Sequence, residues 1–485
     1  MTPLLLSALL FAQEDPNEVP TGVIPIPETP DRSAPPEVEP PDVLALPGMT
    51  TTILRPGLTL SHLQVDGVRK VEIMVMFERG TMDLCPDSVD CRMLTNIWDL
   101  ASKEADAEET EALLDSLDAS LLSWMGRTVG GLELTIPRTA LDDGLALLDA
   151  VLHTPGLPRS ELRLSRENVL DWYENTGPAD MSDVASTARK YGFYPAESVY
   201  GQRADLDGIQ GVRRRHLRSL HAELLAEAPV HVLVVGDVTV AEIQDDIVAL
   251  IGDLGVPAER TSLPEVAPMG ASGIVAVDMP GPQAAVRLIT EAPGRDDVDR
   301  VPLSVIDFAL GGSFVSRLNG NLREEKGWTY GAGSYHSAGK THGFWAASVD
   351  VEAENVAGAV TEIRGELDTM VASGVTEDEV EAAWLDQVTW WNRRLETAGT
   401  AASFYQQLIL QDQTLETLGE RLSTSKGLTP ADSVVCAESW MTDRPRLWVI
   451  VGDRSLIEEQ VDSLGLPVQW ITPQQAILGE FEVAR

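Results

Sequence analysis

Residues 71–77 read Val-Glu-Ile-Met-Val-Met-Phe and residues 131–136 read Gly-Leu-Glu-Leu-Thr-Ile, short apolar or alternating runs that predict strands. Residues 139–153 and 159–173 instead space their apolar side chains at three and four positions, which predicts helices. An apolar run at 231–235 stops at Gly236-Asp237 and gives way to helical spacing from Val240. The same phrase returns at 447–451, stops at Gly452-Asp453 and again enters a helix, 447 − 231 = 216 positions on. A second echo pairs Gly156-Leu-Pro-Arg-Ser-Glu-Leu162 with Gly374-Val-Thr-Glu-Asp-Glu-Val380, each opening a helix, at 374 − 156 = 218. Helix starts of this kind are individually common, but two echoes at nearly one offset predict a duplication. The expected fold is α+β: two homologous tandem domains, residues 49–260 and 270–475, each a mostly antiparallel sheet with helices on one face. They join near residues 257–268, and residues 476–485 are expected to be a tail.

Ahead of Gly48 the pattern changes. Residues 1–12 (Met-Thr-Pro-Leu-Leu-Leu-Ser-Ala-Leu-Leu-Phe-Ala) form an apolar run too short to span a bilayer. They read as a signal peptide, though no Lys or Arg precedes the run and Leu10-Phe11-Ala12 fits a small-x-small cleavage site only in part. Residues 13–48 hold ten prolines and many acidic residues with Arg32 as the one basic residue, and predict an extended, disordered tether. Export to a periplasmic or extracellular location is therefore expected.

Composition narrows the function classes. A chain of 485 residues, 44% of them hydrophobic, can bury a large core. Its 36 Lys and Arg against 76 Asp and Glu give 36 − 76 = −40, a field that repels nucleic-acid backbones and anionic bilayers. Neither nucleic-acid binding nor stable membrane insertion is expected. Of three cysteines, Cys85 and Cys91 are close enough in sequence to close one small loop in an oxidising compartment. Cys436 is left over and reads as a small buried hydrophobe.

The most specific sequence is Leu310-Gly-Gly-Ser-Phe-Val-Ser-Arg-Leu318, followed by Asn321-Leu-Arg323-Glu-Glu-Lys-Gly327-Trp-Thr-Tyr330-Gly-Ala. It closely resembles the second-domain signature of the insulinase/pitrilysin zinc peptidases, which include the mitochondrial processing peptidases. Asp278-Met-Pro-Gly-Pro-Gln283 resembles that domain's opening strand, and Arg55-Pro-Gly57-Leu58 with residues 72–80 resembles the first hairpin of the family. The resemblance covers roughly residues 49–475. It implies that the two halves close like a clamshell around an extended peptide, with Gly311, Gly312 and Ser313 at the substrate cleft. It also implies that Arg323 and Tyr330 hold the scissile carbonyl, a guanidinium and a phenol stabilising the charge that builds on that oxygen.

Family members carry His-x-x-Glu-His on a helix of the first half, two imidazoles binding zinc and the carboxylate activating its water. The matching stretch here is Met93-Leu94-Thr95-Asn96-Ile97, and no ligand survives at positions 93, 96 or 97. The third ligand of the family, a Glu some 75 residues on, should fall near residues 169–173, where Asp171 is the one carboxylate. Seven histidines include no His-x-x-x-His pair. His216 and His221, five apart, do not share a helix face, and neither Gly-x-Ser-x-Gly nor Gly-x-x-x-x-Gly-Lys occurs. The chain is expected to bind no metal or cofactor of its own. It reads as a substrate-binding subunit supplying Arg323 and Tyr330 to a zinc-bearing partner that cleaves peptides or unfolded protein. A scaffold without catalytic role is the alternative, and a self-sufficient metallopeptidase is the weakest reading.

Overall fold

The structure, a computed structural model, describes residues 47–85, 89–258, 271–340 and 342–483. The signal-peptide reading and almost all of the tether reading fall outside these residues. Twelve strands are present: β1 (Thr50–Arg55), β2 (Leu58–Gln64), β3 (Lys70–Phe77), β4 (Ser120–Met125), β5 (Gly130–Pro137), β6 (Val230–Gly236), β7 (Gly273–Asp278), β8 (Gln283–Pro293), β9 (Ala332–Ala338), β10 (His342–Glu352), β11 (Arg446–Gly452) and β12 (Val468–Ile471). They form two six-stranded sheets, ordered β1-β2-β6-β3-β5-β4 and β12-β7-β11-β8-β10-β9. In the first, β2 runs parallel to β6 and the remaining pairs are antiparallel. In the second, β7 runs parallel to both β11 and β12. Five strands thus recur in the same order and sense, β2-β6-β3-β5-β4 against β7-β11-β8-β10-β9, and only the sixth, edge strand differs. The apolar phrases spotted 216 residues apart are β6 and β11.

Both sheets are mixed, and both faces of each are covered, where helices on one face only were expected. The reason lies in the strands. Six consecutive residues after Val71 in β3 are buried, and β8 buries seven in a row after Gln283, the signature of a strand wet on neither side. One face of the first sheet packs on first-half helices such as Leu141–His153 and Val240–Ile251. One face of the second packs on second-half helices such as Val356–Ser373 and Pro430–Met441.

The opposite faces are covered by exchange. Helix Met181–Phe193, from the first half of the chain, lies on β8 and β11 of the second sheet, burying Val184, Ala185, Ala188 and Tyr191 against Val275, Val277, Leu447 and Val449. Helix Ala398–Leu410, from the second half, lies on β3 and β6 of the first sheet, burying Ala401, Ala402, Phe404 and Leu408 against Met74, Met76, Leu233 and Val235. The two helices have the same length and sit 398 − 181 = 217 residues apart. Small side chains let each backbone settle close to its sheet; a Cβ on Gly192 would stand 2.6 Å from Leu447 Cδ2. The first starts at an Asp180 cap and the second at a Thr397 capping box. Of the expected tail, the described residues 476–483 do not hang free. Ala476, Ile477 and Phe481 are buried beside helix 181–193, because the apolar face of the short helix Pro473–Leu478 has an open corner of that layer to fill.

Cys85 and Cys91 are joined by a disulfide with a Cα–Cα distance of 5.9 Å. Cys436 is free and buried, and burial together with the Asp299 and Asp297 carboxylates pushes its thiol up to about 12. A thiol-reactive dye at pH 8 should therefore label none of the native protein and one thiol per chain after denaturation without reductant. Rapid labelling of native protein, or three thiols in denaturant, would contradict this arrangement.

Candidate functional site

The residues matched to the zinc motif lie on and just beyond helix Val89–Thr95, which the disulfide ties to the preceding turn Thr81–Leu84. They do not converge. Met93 is buried; Asn96 lies past the helix end and donates from Nδ2 to Ser165 Oγ at 2.8 Å; that hydroxyl in turn donates to Met93 Sδ at 3.6 Å. Ile97 is buried in the first core. Asp171 faces away, accepting from Asn175 Nδ2 at 3.0 Å and Thr176 Oγ1 at 2.8 Å. Instead, a cavity of about 60 Å³ is lined by Val89, Arg92 and Met93 from one helix face and by Val169 and Tyr173 from the next helix, with Lys190 and Arg203 opposite. Positions 89, 92 and 93 carry the spacing of His-x-x-Glu-His, and Val169 lies 169 − 93 = 76 residues beyond Met93.

Cations hold this cavity. Arg203 is fixed by hydrogen bonds to Tyr191 O and Gly479 O, both 3.1 Å, and lies 4.3 Å over the Tyr191 ring. Burial raises the Tyr173 phenol, opposed by the charge and hydrogen bond of Arg92. Partial desolvation, with Arg127 and Arg203 close by, holds Lys190 below the usual lysine range. Among the described residues no group of three His, Cys, Asp or Glu side chains is placed to hold a metal. A thioether, two aliphatic side chains and three cations cannot replace imidazoles and carboxylates, and their charge repels a divalent ion. Zinc therefore does not fit this site. After dialysis the protein should carry well under one zinc per chain, as read by elemental analysis; a retained stoichiometric zinc would refute this account.

The glycine-rich motif of the second half divides cleanly between inward and outward residues. Gly311 packs so close to β9 that a Cβ would lie 2.4 Å from Ser334 N. Arg317 grips Glu379 with two bonds, 2.7 and 2.6 Å, and donates to Gly374 O at 2.8 Å. Asn319 ties Phe314 O to Ala332 N, at 2.6 and 3.1 Å. Gly327, at φ +67, turns the chain out of the helical segment while its N–H and that of Trp328 cap Arg323 O and Leu322 O. Outward residues are another matter. Phe314 is 70% exposed, Val315 84% and Tyr330 94%. Arg323, partly exposed, lies 4.4 Å over the Phe314 ring and, among the described residues, forms its one ion pair with its neighbour Glu324, at 3.4 Å. Gly312 borders a larger cavity, of about 360 Å³, that sequence reasoning missed. Its walls come from four separate helices, and the only local hint was the Trp390-Trp391 pair.

With that geometry in place, comparison with known proteins defines the class. Residues 211–384 match the family profile of the "Peptidase M16 inactive domain". No curated protein is matched by sequence. A crystal structure of a peptidase M16 inactive domain from Pseudomonas fluorescens is similar at a TM-score of 0.75 and 17% identity, covering 83% of this chain and 98% of that one. A protease from Helicobacter pylori is similar at a TM-score of 0.72 and 18% identity, covering 84% and 100%. The periplasmic protease PqqL from Escherichia coli is similar at a TM-score of 0.68 and 11% identity; 87% of this chain is covered, but it spans only 49% of PqqL. At these identities the structural likenesses establish the fold. Residues 211–384 are thus similar to an M16 inactive domain, and the chain shares the fold of these structures.

Proposed function

We propose that this chain is the non-catalytic, substrate-binding subunit of a two-chain peptidase. Arg323 and Tyr330 contact the carbonyl of a peptide whose attacking water is activated on a zinc-bearing second chain. The observation that carries the reading is the exposure of Tyr330, Phe314 and Val315, with partly exposed Arg323 stacked on the Phe314 ring, while the rest of the motif is tied inward. Large apolar side chains are left in water at the cost of solubility and mark a contact surface. The lost metal site is read at Val89, Arg92, Met93 and Val169, one helical turn before the alignment 93, 96 and 97. We place the peptide cleft between two chains, not between the two sheets of this one, which share their exchanged helices. The disulfide favours an oxidising compartment, in keeping with a periplasmic location.

The experiment is to mix this protein with a zinc-bearing chain of the same family and source and to assay an unstructured fluorogenic peptide. Turnover in the mixture that exceeds either chain alone and disappears with a chelator is the expected result. Full activity of the zinc chain alone, unchanged by this one, would leave the scaffold role. Hydrolysis by this chain alone that survives chelation would end both readings.

A further inference from the structure

The cavity of about 360 Å³ that Gly312 borders lies between helices Arg300–Asp307, Glu377–Asn392, Ala398–Leu410 and Leu415–Lys426. Its volume is that of a small-ligand pocket. Aromatic walls come from Phe308, Trp390, Trp391 and Phe404, the last two tryptophan-to-phenylalanine contacts being 6.0 and 6.3 Å between ring centroids. Two guanidiniums face the same space. Arg421 is anchored, donating to the Gln413 side-chain oxygen at 2.9 and 2.8 Å and to Arg295 O at 3.2 Å. The Arg300 guanidinium has no hydrogen bond or ion pair among the described residues. Asp307, whose charge it feels, spends one oxygen on Ser334 Oγ at 2.6 Å and Trp345 Nε1 at 2.7 Å.

In a chain of net −40 the pocket is lined by as many guanidiniums as carboxylates, Arg300 and Arg421 with Asp307 and Asp386. Burial lowers both arginines, and a neighbouring guanidinium adds to it, Arg421 for Arg300 and Arg295 for Arg421. Guanidiniums do not shed their protons in proteins, so both keep their charge in the pocket. We propose that this cavity binds a carboxylate carried on an apolar or aromatic body, the carboxylate bridging Arg300 and Arg421 and the body lying among the aromatic walls. A guanidinium presents a planar fork that suits a carboxylate, and an apolar pocket with few polar groups suits an organic acid. A free small acid and the C-terminal residue of a peptide share this chemistry.

Titration of the full chain, followed by calorimetry and tryptophan fluorescence, separates the possibilities. The probes are 3-phenylpropionate and 3-phenylpropanamide, and an N-acetylated tripeptide ending in Phe as free acid and as amide. Each acid should bind saturably and about 10- to 100-fold tighter than its amide, the worth of a charged hydrogen-bonded contact. The tighter of the two acids names the source. Arg300→Gln and Arg421→Gln should each lose binding by a similar factor. Arg300→Gln should not lower Tm, because it removes a desolvated charge that has no partner; a purely structural arginine would lower it. Equal binding of acid and amide, no saturable binding by folded wild-type protein up to about 10 mM, or undiminished binding by the folded variants would overturn the proposal.

Discussion

Replacing Ala402 by Glu should lower the unfolding free energy by about 3 to 5 kcal/mol, the scale of an unpaired charge forced into a core. Ala402 is fully buried on the inner face of helix 398–410, against Met74, Met76, Leu233 and Val235. None of these can pair a carboxylate, and the helix cannot lift without uncovering β3 and β6. Ser403→Glu, one residue on and facing solvent, should stay within about 0.5 kcal/mol of the parent. Because helix 181–193 plays the same part on the other sheet, Ala188→Glu should show a matching loss. Urea unfolding followed by tryptophan emission reads both sheets at once, since Trp98 sits in the first core and Trp345 and Trp448 in the second. One shared transition moving to lower urea is the expected outcome. Two separated transitions, or a loss no larger than the Ser403 control, would contradict the coupling.

Arg323→Ala should reduce kcat of the proposed two-chain peptidase by about 100- to 1000-fold, the cost of deleting one oxyanion donor, with a smaller change in KM. That pattern belongs to a contact that strengthens in the transition state. The residue's ties are weak ones: its guanidinium lies over the exposed Phe314 ring and 3.4 Å from Glu324, so stability should shift by no more than about 1 kcal/mol. Tyr330→Phe, which removes one hydroxyl from a side chain 94% exposed, should cost about tenfold. A rise in KM alone would make Arg323 a docking residue. No change in either constant would remove it from the reaction.

Local order was written plainly in the chain. Residues 71–77 and 131–136 became β3 and β5, and helix starts at Arg159 and Glu377 fell where the echo placed them. Periodicity reports whether a side chain is buried, not by what. The unbroken apolar run of β3 announced two covered faces, yet the partner on its second face lies more than 300 residues away in an alanine-rich helix with little amphipathic contrast. The same limit applies at the sites. Arg323 and Tyr330 could be singled out because the motif is contiguous and similar to a known signature. The metal-site register could not, since the loss of all ligands removed the anchors; the cavity between Val89, Arg92, Met93 and Val169 is what supports the register proposed above. Arg300 and Arg421 stand 121 residues apart (421 − 300) on helices whose packing no local pattern reveals.

The reciprocal helices also fix what each half can be by itself. A polypeptide of residues 49–260 would carry helix 181–193 with no sheet to lie on, and would bare β3 and β6 where helix 398–410 now sits. Two copies of such a half-length chain would answer each other's need about a two-fold axis, each lending the helix the other lacks, as in a domain-swapped homodimer. The present chain has that pairing within one molecule, a twofold partnership made permanent by a peptide link, and a cut in that link would leave two fragments that elute as one.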